Sequence, residues 1–553
     1  MADIKTPKPR PKRLVVVMDG TWNSPATPSE REDGDSVFKP SNPLKTSRAV
    51  KALDDIGATL VAHGQPADGD TVTVGGKLYT FVDELGSEDG QVVIAKGARD
   101  RLENLRYAVN LRRHRGRYAS GMTRHPLVSA RAVPGDRRRM DIVPSPGAAE
   151  DAWSHGTTLA GWRWDASNAI DATLRERGYD PAQGVAQIVF YDVGVGALRS
   201  TPGLSNKIHR SIDRVFGGAR GAGFEANIED AYLFLCLNYH PGDEVYLFGF
   251  SRGAASARGL ARFVDWMGGL VPSGDAYWIP RYFDAFLTGS TYRQTREAVV
   301  TERQRRLLKR NPNDEKAAEK AEKIAGVVRP ATIRFLGVWD SVLSIGAKRE
   351  KPVFGDAPPG AVENARQALA IDERRPDFKP RIWRRRSPDN PDQTLEQRWF
   401  CGVHSNIGGG YVNDGLANVA LHWMLEGARS AGLALDDAFL NHYPDYAEDE
   451  LYDSSGFAWR AIQTLTFRRR QGVRPIDVDP DAGLTLHPSV LRRLVAEKDA
   501  GDGRVHEKLV PYRPENLCRF LADLPDLEAF LLEVDPDCTP ETVAKIQSIL
   551  GAG

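Results

Sequence analysis

Apolar residues occur along this chain in short runs that end in small, polar or acidic residues. The first, RLVVVMDGTWN from Arg13 to Asn23, is rich in β-branched residues and closes on Asp-Gly-Thr, the pattern of a buried strand ending in a tight turn. Four more runs follow this grammar: AQIVFYDVGVGA (186–197), DEVYLFGFSRGA (243–254), TIRFLGVWDSV (332–342) and QRWFCGVHSNIGGGY (397–411). Helical patterns, FEANIEDAYLFLCLNYH, AASARGLARFVDWMGGL and LANVALHWMLEGARSAG, lie between or after them. Strands alternating with helices predict right-handed crossovers and a doubly wound, mainly parallel α/β sheet covered on both faces. Functional groups are then expected at the carboxyl ends of the strands.

From about Gly57 to Pro146 the rhythm changes. ADGDTVTVGGKLYTFVDEL alternates with period two around a Gly-Gly turn, a β-hairpin pattern, and ARDRLENLRYAVNLRR follows as an amphipathic helix. The expected organisation is a discontinuous catalytic domain over 1–56 and 147–435, an inserted β-hairpin and helix module over 57–146, and a mostly helical C-terminal cap or extension over 436–553. The charge-dense stretch 302–323 reads as an exposed helix without chemistry. The arginine clusters at 111–117 and 136–140 suit a solvated face, or contact with anionic headgroups.

At 553 residues the chain exceeds the roughly 250–300 at which one core stops growing. Lys plus Arg and Asp plus Glu both number 74, so no global basic field points to nucleic acid. The four cysteines lack C-x-x-C spacing, which indicates neither a zinc site nor a disulfide scaffold. The basic N-terminus runs into only five apolar residues before charge returns, and nowhere do eighteen apolar residues follow one another. Synthesis in the cytoplasm without a signal peptide is the expectation.

The chemistry-bearing pattern is Gly249-Phe250-Ser251-Arg252-Gly253, a G-x-S-x-G that follows the buried run VYLFGF and opens a helix of small residues. That strand–turn–helix context is what a nucleophile elbow requires: the turn strains Ser251, and Gly249 and Gly253 let strand and helix approach. A serine hydroxyl needs a base, itself oriented by a carboxylate. In the chain order Ser, Asp, His, Asp340 directly follows FLGVW and His404 directly follows FCGV, each just past a strand end. Asp265 or Asp275 are alternatives for the acid and His442 for the base, whereas His422 lies inside a helical pattern. The oxyanion donors are expected to be the backbone N–H of Arg252 and that of Gly20 or Thr21, with Asp19 bonding the N–H groups of its own turn. Gly408-Gly409-Gly410 is either a loop needing positive φ or a device that keeps the imidazole accessible. G-V-G-A after Asp192 lacks dinucleotide spacing and no Walker lysine follows, so no cofactor and no metal is expected there; the turn reads as pocket rim.

Six blocks in order, LVVVMDGTWN, FYDVGVGA, GFSRGAASARGLA, FLGVWDSV, ARQALAIDERRPDF and GVHSNIGGGY, resemble the α/β-hydrolase catalytic domain of the type VI secretion phospholipase effectors of the first lipase family, a hydrolase domain long left uncharacterised. The resemblance covers residues 13–50 and about 185–430. It implies an α/β-hydrolase fold, Ser251 as nucleophile, Asp340 as acid and His404 as base, glycerophospholipid ester substrates, and an antibacterial toxin with a cognate immunity protein and secretion spike proteins as partners, delivered to the periplasm of a target cell. The insertion at 57–146 departs from that pattern, as does the lack of a long membrane-anchoring extension after about 430. More weakly, the insertion itself is similar to a small module of phage and other surface-associated proteins, through DGDTVTVGGKLYTF, ENLRYAVN and TRHPLVSARAV. The readings to separate are therefore a phospholipase A acting through an acyl-enzyme, a soluble carboxylesterase or thioesterase for small acyl substrates, and a phage- or spike-associated binding protein whose catalytic site is dispensable.

Overall fold

Five runs read as strands from their apolar pattern form strands, and three segments that lack it join them in one sheet. In the computed structural model β1 is Arg13–Met18, β2 Val185–Asp192, β3 Glu244–Phe250, β4 Ile333–Trp339, β5 Asn364–Ala370, β6 Thr394–Phe400 and β7 Leu484–Leu486. The structure describes the chain except residues 1–10, 21–28, 31–35, 38, 52, 55–57, 96–100, 112–115, 127, 134–135, 145–154, 166–184, 194–221, 325–327, 343–354, 376–377, 453–471, 497–510 and 552–553. It divides into two units, one of 1–13, 48–188 and 425–444, the other of 14–47, 189–424 and 445–553.

The larger unit is built on a sheet of order β7-β6-β5-β4-β3-β1-β2, in which β3 through β7 pair parallel, and Leu53–Asp54 adds an eighth strand antiparallel to the start of β2. Alternation splits the strands between two faces. Leu14, Val16 and Met18 of β1 and Val245 and Leu247 of β3 pack with helix α2 (Ala222–Asn238) and helix α3 (Arg252–Met267) in one core. On the other face the indole Nε1 of Trp339 donates to the Ala420 carbonyl at 3.3 Å, which ties β4 to helix α5 (Gly415–Ser430). Both faces are thus covered, and the strands read as near-continuous apolar runs. Successive connections leave β1 and β3 toward opposite edges of the sheet, so the crevice opens where their carboxyl ends meet.

The smaller unit holds two four-stranded sheets. One runs Trp162–Asp165, Ala58–Ala62, Asp136–Pro144, Val128–Val133; the other runs Gly156–Thr157, Thr71–Val74, Lys77–Val82, Gln91–Val93. Their shared core includes Leu60, Tyr79, Phe81, Met140 and Trp162, with Leu105 and Val109 from the helix Arg101–Asn110. The hairpin turns on Gly75 and Gly76 at φ +51° and +82°, the mirror-image turn that suits strand twist.

Two expected boundaries shift. The module does not end at Pro146, because strands 156–157 and 162–165 complete its sheets. The segment after 436 is more than a helical cap: besides helices such as α6 (Glu515–Ala522), it supplies the edge strand β7. The stretch 302–323 is the end of one helix, Tyr292–Arg310, and most of a second, Ala317–Ile324. Among the described residues no helix is long and apolar enough to cross a membrane.

Candidate active site

Strand β3 ends at Phe250 and α3 begins at Arg252, so Ser251 alone makes the turn. Its backbone sits at φ +57°, ψ −120°. Such a conformation costs a non-glycine residue about 1–3 kcal/mol, which the surrounding structure must supply. The Ser251 N–H donates to the Trp339 carbonyl of β4 at 3.1 Å, and its own carbonyl accepts from Ala255 at 3.3 Å. A Cβ on Gly249 would lie 2.3 Å from the Gly253 carbonyl oxygen, and one on Gly253 would lie 2.3 Å from that of Met18. The two glycines therefore let the helix start rest on the ends of both β3 and β1. Arg252, first residue of α3, occupies a position whose N–H the helix ladder does not consume.

The second positive φ lies one strand away. Asp340 follows β4 at φ +39°, and its N–H is held by the Ala368 carbonyl of β5 at 2.8 Å. Among the described residues only Leu111, Ser251 and Asp340 are non-glycines at positive φ, so two of three such strains occur at adjacent strand ends.

His404 opens a short helix, α4 (His404–Gly408), beyond β6. Its Nδ1 lies 2.5 Å from Asp340 Oδ2 and its Nε2 lies 2.8 Å from Ser251 Oγ. An ionised carboxylate only accepts, so Nδ1 carries the proton and Nε2 is left to accept from the serine hydroxyl. The imidazole is held between the rings of Phe250, centroids 4.7 Å apart, and Phe378, edge-on at 4.8 Å. Ser251 is 8% and His404 4% exposed, which leaves each a small opening to the crevice.

Burial by itself would raise the Asp340 carboxyl. The Arg474 guanidinium and the hydrogen bond from His404 outweigh it and hold the group well below the usual carboxylate range. Arg474 grips both oxygens, Nη1 to Oδ1 at 2.7 Å and Nη2 to Oδ2 at 3.0 Å, while Oδ1 also accepts from the Ala370 N–H at 3.1 Å.

Around this core, glutamate and helix fix the imidazole's support. Glu373 accepts from the His404 backbone N–H at 3.2 Å and is matched by Arg375, whose guanidinium lies over Phe378. From helix α1 (Asn42–Ala49), Asn42 Nδ2 donates to the carbonyls of Ile407 in α4 and Ala417 in α5 at 2.9 and 2.8 Å. Buried Lys45 Nζ reaches Asp414 at 2.8 Å and Asn418 at 2.7 Å. A Cβ on Gly408 would lie 2.0 Å from the Phe250 ring, so that glycine admits the ring packed on His404. Gly409 and Gly410 do take positive φ, +86° and +110°.

On the β1 side, Asp19 behaves as its turn suggested: Oδ1 accepts from the Gly20 N–H at 2.6 Å, and Oδ2 accepts from Tyr191 at 2.7 Å and from Ser41. The Gly20 donor, expected to face an oxyanion, is thus engaged by its neighbour. Thr21 and the Gly194–Gly196 turn lie outside the described residues.

The remaining alternatives are placed elsewhere. Asp265 accepts from the Ala361 N–H at 2.9 Å, Asp275 is paired with Arg303, and His442 is exposed. Arg474, Glu373, Asn42 and Phe378 carried no local signal beyond the ERR of the block 365–378; a lone loop arginine seventy residues past the histidine is not distinguishable by spacing. Among the described residues no group of three His, Cys, Asp or Glu side chains could hold a metal ion.

Residues 167–427 match the family model described as the T6SS phospholipase effector Tle1-like catalytic domain. An uncharacterized protein of Saccharomyces cerevisiae is 28% identical over 201 residues, 35% of this chain and 27% of that protein, so the chain spans little more than a quarter of that relative's length. Among solved structures, an uncharacterized protein from Pseudomonas aeruginosa is similar over 98% of this chain and 62% of that one, at 13% identity and a TM-score of 0.29. The Tle1 effector bound to the VgrG spike of the type 6 secretion system is similar over 73% of this chain and 52% of that one, at 17% identity and a TM-score of 0.21. The matched stretch 167–427, which contains Ser251, Asp340 and His404, is similar to the Tle1-like phospholipase effector catalytic-domain family.

Proposed function

We propose that this protein is a serine hydrolase of phospholipase A type, cleaving acyl esters of glycerophospholipids as a type VI secretion effector. The hydrogen-bonded chain Ser251–His404–Asp340 at the carboxyl ends of β3, β6 and β4 carries the reading, and the family match supplies the substrate class. Ser251 Oγ attacks the ester carbonyl while His404 Nε2 takes its proton, and Asp340 stabilises the imidazolium through Nδ1–H. The Arg252 N–H is the oxyanion donor, a kind of group worth about 3–4 kcal/mol when removed. Collapse expels the lysophospholipid alkoxide, which receives the proton from His404. Water, deprotonated by the same imidazole, then attacks the acyl-enzyme, releases the fatty acid and restores Ser251.

Delivery into a target cell, association with a spike protein and neutralisation by an immunity protein complete the reading from the family.

The test is turnover on phospholipid vesicles beside p-nitrophenyl butyrate, with Ser251→Ala as the control. Fatty acid and lysophospholipid released by the wild type alone support the proposal; butyrate turnover without vesicle activity would instead favour a soluble esterase.

A further inference from the structure

Asp340 has more company than a triad carboxylate needs. Arg474 comes from the loop before β7, its side chain 7% exposed, and its fork spans both carboxylate oxygens. The same two nitrogens also donate to the Ala370 carbonyl at 2.9 Å and to that of Phe378. The loop is pinned from α6: Asn516 Nδ2 donates to the Arg474 carbonyl at 2.8 Å and to that of Ile371 at 3.0 Å. Arg474 thus joins the triad carboxylate, the end of β5 and the segment bearing Phe378, whose ring packs on His404.

Oδ2 of Asp340 is shared, accepting from His404 Nδ1 and Arg474 Nη2. A carboxylate whose charge is already opposed by a guanidinium stabilises a neighbouring imidazolium less than an unshared one. Other charges near the imidazole come in matched sets. Glu373 is forked by Arg375, and Asp372 is held by the Gly402 N–H at 2.7 Å and Tyr512 hydroxyl at 2.8 Å, with Arg374 and Arg493 acting on it electrostatically. The rings of Phe250 and Phe378 carry no charge.

We propose that Arg474 is the positioning residue of the Ser251–His404–Asp340 triad, locking the carboxylate plane toward His404. The proposal rests on the hydrolase reading above. It goes further in assigning the orientation of the triad to a residue from the C-terminal segment.

The experiment measures kcat and KM for p-nitrophenyl butyrate from pH 4.5 to 9 in wild type, Arg474→Gln, Arg474→Lys and His404→Ala, with melting curves for each. Arg474→Gln is expected to leave KM within a few-fold and lower kcat by roughly 10²-fold through loosened geometry. Arg474→Lys keeps the charge without the fork, so its kcat also falls at little-changed KM. A folded Arg474→Gln with the kcat of wild type overturns the proposal. Should Arg474→Gln fail to fold, Arg474→Lys decides: full kcat rejects the positioning role, reduced kcat with KM within a few-fold supports it. Activity retained in His404→Ala would instead sink the triad itself, a failure separate from this one.

Discussion

The two sides of the crevice floor handle buried carboxylates differently. On the β4 side, Asp340 receives a guanidinium fork, a backbone N–H and the imidazole, and remains an anion. On the β1–β2 side, Asp192 ends its strand facing other acids. Burial, with Asp230 and Asp19 adding to it against a hydrogen bond from Asn227, pushes its carboxyl up to about 7, and its Oδ2 is buried without a hydrogen-bond partner among the described residues. The lesson is that burial does not decide ionisation alone. At Asp340 a guanidinium and the imidazole outweigh burial and the charge persists; at Asp192 neighbouring acids add to burial and raise the carboxyl.

That contrast can be broken at its strongest point first. Ser251→Ala and His404→Ala are each expected to lower kcat by roughly 10⁴- to 10⁶-fold, and the double variant by little more than either, since the pair acts as a unit; ester turnover kinetics check this. Asp340→Asn is next, with kcat down about 10⁴-fold from the wrong tautomer.

Asp340→Asn also leaves Arg474 buried without its anion, a loss of about 3–5 kcal/mol at neutral pH. The folded carboxyl lies below its unfolded value of about 3.9, so its stabilisation is present above that pH and lost as pH falls toward the folded value. Denaturant melts of this variant and wild type should therefore converge in acid.

Gly408→Ala probes the packing between these sides. Its Cβ would press on the Phe250 ring that backs His404, and the expected cost is about 1–3 kcal/mol with a fall in kcat at unchanged KM, read by melting and kinetics.

The smallest effect sharpens the comparison by sign. Asp192 has a folded value near 7, above the unfolded value of about 3.9, so wild type loses stability as pH rises between them. Asp192→Asn should accordingly gain in melting temperature relative to wild type from pH 5 to pH 8, the reverse of the trend at Asp340. A pH-independent difference would contradict the account of this side.

How much of this was legible follows from where each signal resides. The elbow is local: Gly249, Ser251 and Gly253 are fixed by one turn, and a run of apolar residues before it marks the strand. Asp340 and His404 were candidates because strand ends converge in a parallel sheet, and both lie within hydrogen-bond reach of one another in the structure. β5 escaped because NARQALA interleaves Arg366 and Gln367 with small residues; buried Gln367 is satisfied by Gln397 at 3.0 Å and the Arg381 carbonyl at 3.1 Å, tertiary partners no periodicity reveals. β7 is three residues long, too short for a pattern. Arg474 was illegible for the same reason as the module's true end: both depend on which distant segment folds back.

The most direct measurement is the site of fluorophosphonate modification, mapped by peptide mass on the folded protein at neutral pH. The account predicts one adduct, on Ser251, formed in wild type and lost in His404→Ala. Labelling that proceeds equally in Ser251→Ala, or that is indifferent to the histidine, would contradict it.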